Sequence, residues 1–142
     1  MTMDSTQIPG YQPKVEGDKV IVDRFQRRTV RNILQIMIEE ELLEEGTVIP
    51  APNLKGATEL TPVLAASLAL GLGAEAELEE ANPVNPARAS FLKKRALVFG
   101  QAALQAGKVQ EPPLAVTDPG LHFELEDMVL ELQGEQSDPG TL

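Results

Sequence analysis

A single histidine, His122, is the only imidazole with which this chain can do acid–base or triad chemistry, and no GxSxG context surrounds any of its serines. Flanked by Leu121 and Phe123, it reads as an exposed surface histidine. There is no cysteine, which removes thiolate nucleophiles, disulfides and Cys-ligated zinc or iron–sulfur sites together. Carboxylates are abundant, but they occur in runs such as Glu39-Glu40-Glu41 and Glu124, Glu126, Asp127, with nothing to bury one member and separate its pKa from the next. No D-x-D-x-D-G loop and no Glu-x-x-His pair is present. Gly71-Leu72-Gly73 follows a helical run and lacks the Gly-Lys-Ser/Thr of a phosphate cradle. The residues therefore assign no catalytic, cofactor or metal position, and a non-enzyme is expected.

What the chain does carry is charge in blocks. Arg24, Arg27, Arg28 and Arg31 stand ahead of Glu39, Glu40, Glu41, Glu44 and Glu45, and a second basic block follows at Arg88, Lys93, Lys94 and Arg95. The last basic residue is Lys108; beyond it come eight acidic ones, so most of the net charge of −10 belongs to the C-terminal quarter. That balance opposes whole-surface binding to nucleic acid or an anionic membrane, while leaving local basic edges that phosphate could contact. Aromatic residues are only 4% of the chain, too few to interleave for base stacking. The blocks read first as protein-binding, with Arg24, Arg27, Arg28, Arg31, Glu39, Glu40, Glu44, Arg88, Lys93, Lys94 and Arg95 as the partner-binding set.

The elements that must position these charges are mostly helices. Asp23 is a plausible N-cap for a helix running to Gly46, about 22 residues and so about 33 Å long. Its apolar residues, from Phe25 to Leu43, cover more than half the circumference, which calls for cover on more than one side. Its Arg-first, Glu-last order opposes the helix dipole at about 0.3–1 kcal/mol per charge before screening. An antiparallel neighbour of the same kind would set Arg ends against Glu ends, as a twofold homodimer requires; a solvated face whose charges serve no pairing fits the same pattern equally.

A linker spans 46–58, and Thr61-Pro62 then supplies an N-cap followed by Pro at N1. The run VLAASLALGLGA is apolar all round but too short to cross a bilayer, which predicts a buried core helix; Ser67 and Gly71, or Ala69 and Gly73, offer close approach to another helix. Glu75, Glu77, Glu79 and Glu80 form its solvated end. Asn85-Pro86 opens a third helix that runs to Gly107. Its basic first half again opposes the dipole, so internal or intersubunit charge pairing is expected. Asp118-Pro119 opens a fourth in which Leu121, Leu125, Met128 and Leu132 make one stripe ending at Gly134. Two alternating strands would need a bulge to cover the same residues, so helix is preferred. Lys19-Val20-Ile21-Val22 is β-prone, but one run cannot make a sheet.

At 142 residues one core is the economical arrangement, built from Leu, Ile, Val and Ala. The expected fold is mainly α: an extended Pro/Gly-rich arm over 1–17, a small domain of three to four helices over 18–134 with one or two short strands, and an acidic disordered tail over 135–142. The first twenty residues lack the basic start and apolar centre of a secretory signal, and no run approaches the length of a membrane span, so a cytoplasmic protein, or one built into a particle assembled there, is expected.

Two functions fit. One is a structural or assembly subunit, of the kind that virions and other repeated assemblies use, acting through helix–helix and arm contacts with itself or other protein subunits, with a homo-oligomer expected. The other is a small regulatory adaptor that binds a basic protein partner, or nucleic acid through the basic helix edges, nucleic acid being the weaker of the two. No cofactor and no membrane contact is expected.

Overall fold

A computed structural model describes residues 13–22, 31, 35, 37–39, 57–81 and 86–137. The chain is mainly α: among the described residues three long helices, α1 (Pro62–Ala81), α2 (Pro86–Val109) and α4 (Pro119–Ser137), with a one-turn α3 (Leu114–Thr117), stand beside a small sheet of β1 (Lys14–Glu16), β2 (Lys19–Val22) and β3 (Thr58–Leu60). Arg31, Gln35 and residues 37–39 are also helical, with Met37 buried. The remainder of the helix expected over 23–46 lies outside the described residues, as do most of the 46–58 linker and the ends of the chain.

Two of the three Pro-led helix starts, at Thr61-Pro62 and Asp118-Pro119, are built as the sequence predicts, and Asn85 of the third lies outside the described residues. The Leu64 N–H donates to Thr61 Oγ1 at 3.3 Å, and the Ala65 N–H reaches the Thr61 carbonyl at 2.9 Å. At α4 the Leu121 N–H donates to Asp118 Oδ1 at 3.2 Å, and the His122 N–H to the Asp118 carbonyl at 3.0 Å. In each case the side-chain oxygen accepts from N3 while proline occupies N1, where its missing N–H costs nothing. Residues 119–137 are therefore one helix and not a pair of strands. It continues past Gly134 to Ser137, into the segment read as tail, and α2 continues past Gly107 to Val109.

The sheet departs from expectation. Val20 and Val22 belong to a three-stranded antiparallel sheet of order β1-β2-β3, in which Val15 pairs with Val20, and Val20 and Val22 pair with Leu60 and Thr58. Lys14–Glu16, inside the segment read as an extended arm, is thus the first strand of a hairpin that turns at Gly17, whose φ of 60° suits a tight two-residue turn. Alternation decides which side faces inward: Val20, Val22, Thr58 and Leu60 are buried, whereas Glu59 is exposed. The covered face lies against α1 and α2, with α2 meeting β1 and β2 and α1 meeting β2 and β3.

The expectation of a buried helix over Val63–Ala74 holds: Leu64 to Ala69, Leu72 and Ala76 of α1 are all buried. Helices α1 and α2, only four residues apart in sequence, make the most extensive contact between described elements. Across this hairpin lies α4, its Leu125, Val129 and Leu132 buried in the common core. The close approach is made at two glycines. A Cβ at Gly73 would lie 2.7 Å from Met128 Sδ, and one at Gly100 would lie 2.6 Å from Val129 Cγ2. Phe99, beside Gly100, is the largest fully buried side chain among the described residues. The aliphatic, alanine-rich core expected from composition is what fills this space, with Ala65, Ala66, Ala69, Ala96, Ala103 and Ala106 wholly inside.

Candidate functional site

The second basic block sits at the start of α2, beside the acidic end of α1, because a helix hairpin brings the C-terminus of one helix to the N-terminus of the next. Arg88 Nη1 donates to Glu79 Oε1 at 2.8 Å, and Lys93 Nζ to Glu80 Oε2 at 2.9 Å. The dipole cost at each helix end is therefore offset by its neighbour, which explains within one chain a pattern that helix-by-helix reading leaves unexplained. Glu79 is correspondingly not part of a solvated end, its side chain being only 9% exposed.

Lys94 is half-buried, and Arg95 is buried with its guanidinium 5.5 Å from the centre of the Phe91 ring, one helical turn away. Arg31 and Glu39, the described members of the first charge block within the partner-binding set, are helical and exposed. Arg24, Arg27, Arg28, Glu40 and Glu44 lie outside the described residues. Of the proposed set the structure thus gathers Arg88 and Lys93 at the α1–α2 corner and turns Arg95 inward, while Arg88 remains half-exposed and Lys94 half-buried.

Each pair at the corner keeps one partner about half-exposed, Arg88 in the first and Glu80 in the second, so that water screens it and limits it to about 0.2–1 kcal/mol. Glu79→Ala and Arg88→Ala should each lower unfolding free energy by no more than about 1 kcal/mol, with a coupling of about 0.2–1 kcal/mol in the double mutant that shrinks in high salt. Urea unfolding of the four-member cycle at two salt levels measures this, and additive losses would mean that the 2.8 Å contact contributes nothing.

His122 is not the exposed histidine expected. Its side chain is 16% exposed, its Nε2 stands 3.7 Å from Glu126 Oε2 one turn on, and its ring meets Phe123 edge-on at 5.6 Å. Position 122 follows Leu121, which packs on the core, so the ring lies at the border of the buried stripe and not beyond it. Among the described residues no group of three or more His, Asp or Glu side chains converges as a metal site, and none of the described helices is long and apolar enough to cross a membrane.

Two surfaces flank α4 on opposite sides, and neither is visible in the sequence. On the α2 side is a groove of about 400 Å³ lined by Leu104, Lys108, Glu126, Val129 and Leu130, with Gln101, Gln105 and Gln133 supplying neutral polar atoms. Beside it Leu130 is 61% exposed, and Phe123, one heptad earlier on the outer face of the same helix, is 60% exposed. On the α1 side is a larger groove of about 790 Å³, whose apolar floor includes Leu70, Ala76, Met128 and Leu132. The stripe Leu121, Leu125, Met128, Leu132 marks the buried side of α4, while Phe123 and Leu130 stand outside that stripe on the outward side. Their spacing of seven was the available signal.

Neither family models nor curated proteins nor solved structures provide a match to this chain.

Proposed function

We propose that this chain is a non-enzymatic structural or assembly subunit that associates with further copies of itself through the outer face of α4 and the groove between α2 and α4. The observation that carries this reading is the pair Phe123 and Leu130, large apolar side chains left mostly in water one heptad apart on a helix whose opposite side is already seated in the core. Isolated exposed leucines are ordinary; a heptad-spaced pair beside a groove is a helix-docking seam.

The occupant is a second copy because the groove is self-complementary. Among the described residues it holds one cation and one anion, Lys108 and Glu126, and glutamines that both donate and accept. Twofold pairing sets each Lys108 against the other copy's Glu126 around an apolar centre of Leu104 and Leu130. A twofold contact closes at a dimer, and that dimer is the unit from which a virion-like particle or other repeated structure would be built, through further contacts, in the cytoplasm.

Light scattering over a series of protein and salt concentrations tests it. The wild-type mass should rise above the 15.3 kDa of one chain, while Phe123→Glu with Leu130→Glu should remain at monomer mass with an unchanged helical circular-dichroism spectrum. Lys108→Glu alone should weaken association at least tenfold, and adding Glu126→Lys should restore it, since the swapped pair regains its attraction. A monomer under every condition would overturn the reading, as would association indifferent to all these changes.

A further inference from the structure

The α1–α4 groove differs from the seam in its charge. Its rim carries Glu77 and Glu80 from α1, three residues apart, and Glu124, Asp127 and Glu131 from α4, spaced three and four apart, so that each helix presents its carboxylates on one face toward the same opening. Lys93, the one cation among the described lining residues, is already held by Glu80. The floor between the two acidic walls is apolar, and at its centre Met128 lies against Gly73. Methionine is the side chain best able to reshape itself around an incoming group.

From these placements we infer that the groove is a docking site for a basic amphipathic helix of a partner protein, one that lowers an apolar anchor onto Met128 and Leu132 and sets Lys or Arg against the two walls. Three features select that ligand. The groove's volume of about 790 Å³ is that of a pocket for a sizeable side chain or short segment and exceeds what an ion needs. The carboxylates are distributed along two walls and converge on no common point, as the absence of a metal-like cluster among the described residues also indicates, so a divalent cation has no coordination sphere here. Finally, walls of one sign on both sides of an apolar floor match a helix with a single apolar stripe and cations on both flanks, which is the helix-in-groove mode of recognition. Nucleic acid is excluded from this face by like charge. The inference stands apart from self-association, which uses the other side of α4.

The probe is a fluorescein-labelled helical peptide of about 16 residues with Leu at every seventh position and Lys at the flanking positions, compared with the same peptide carrying Glu for Lys, read by anisotropy on the full chain. Binding of the Lys peptide and not the Glu peptide is expected. Neutralising the rim by Glu77→Gln, Glu124→Gln, Asp127→Asn and Glu131→Gln together should weaken binding at least tenfold and flatten its salt dependence. Ala74→Trp, at an exposed position on the lining, fills the opening without changing charge and should also weaken binding at least tenfold. Phe123→Glu with Leu130→Glu should leave it in place, which separates failure of this inference from failure of the self-association reading. Loss on rim neutralisation with full binding by Ala74→Trp would reduce the effect to unspecific charge attraction and overturn the proposal; so would equal binding of both peptides, or none.

Discussion

Phe99→Ala should lower the unfolding free energy by about 3–5 kcal/mol, enough to leave the chain partly unfolded at ordinary temperature, since domains of this size are stable by only about 5–15 kcal/mol. The ring is wholly buried in the middle of α2, among the residues that α1, α4 and the sheet close over. Because the surrounding core is rich in alanine, whose side chains have no length with which to move into the space, relaxation around the missing ring is limited and the cavity term stays large. The three described phenylalanines offer an internal control. Phe91 is half-buried and Phe123 is 60% exposed, so Phe91→Ala should cost clearly less than Phe99→Ala, and Phe123→Ala should lie within about 0.5 kcal/mol of wild type for the isolated chain. Thermal or urea unfolding at low protein concentration measures all three. An equal loss at 99 and 123 would mean that the outer face of α4 is part of the folding core and not a seam.

How much of this fold the sequence disclosed depended on whether the determining signal was local. Thr61-Pro62 and Asp118-Pro119 announced two helices because cap and proline are adjacent and each satisfies a backbone requirement of its own turn. The apolar run after Pro62 announced a buried helix for the same reason. The sheet was hidden because two of its strands are three residues long, too short to display alternation, and because β3 joins β2 across residues 23–57, a pairing that depends on chain closure and not on local pattern. Gly17 marked a turn without revealing that both sides of it were strands.

The charges show the same division. Arg88 and Lys93 are legible as misplaced for their own helix, and pairing is the natural remedy, but Glu79 and Glu80 read as a solvated end, and only the hairpin shows that they are the partners within one chain. Arg95 was grouped with them by sequence proximity, although position 95 falls on the inward side of α2 and its guanidinium stacks on Phe91. The acidic groove was beyond reach of any local rule. Its walls come from α1 and α4, which are separated by all of α2 and α3, and what joins them is the glycine at 73 that admits Met128. The candidate surfaces are products of packing, and packing is the last thing a linear pattern reveals.

That packing makes its own prediction at the other glycine. Gly100→Ala adds a residue that favours helix by about 1 kcal/mol, yet the substitution should destabilise the protein by about 1–3 kcal/mol net. The new methyl would stand 2.6 Å from Val129 Cγ2 with Leu125 Cδ1 at 3.5 Å. Val129 is β-branched on a helix and holds essentially one rotamer, so the clash cannot be relieved by turning a side chain and must displace α4 itself. Gly73→Ala meets the contrary case. Its nearest atom is the sulfur of Met128 at 2.7 Å, near the end of a flexible chain that can swing aside, so the helix-propensity gain should roughly cancel the contact and leave stability within about 1 kcal/mol of wild type. The pair Gly100→Ala and Val129→Ala then distinguishes contact from propensity. Val129→Ala alone should cost about 1.5–3 kcal/mol as a buried truncation, but in its presence the alanine at 100 finds the space that Cγ2 has left, and the double variant should be more stable than the sum of the two losses predicts by about 0.5–3 kcal/mol. Strict additivity in urea unfolding would place α4 farther from α2 than Gly100 requires, and with it would go the geometry on which both α4 surfaces depend.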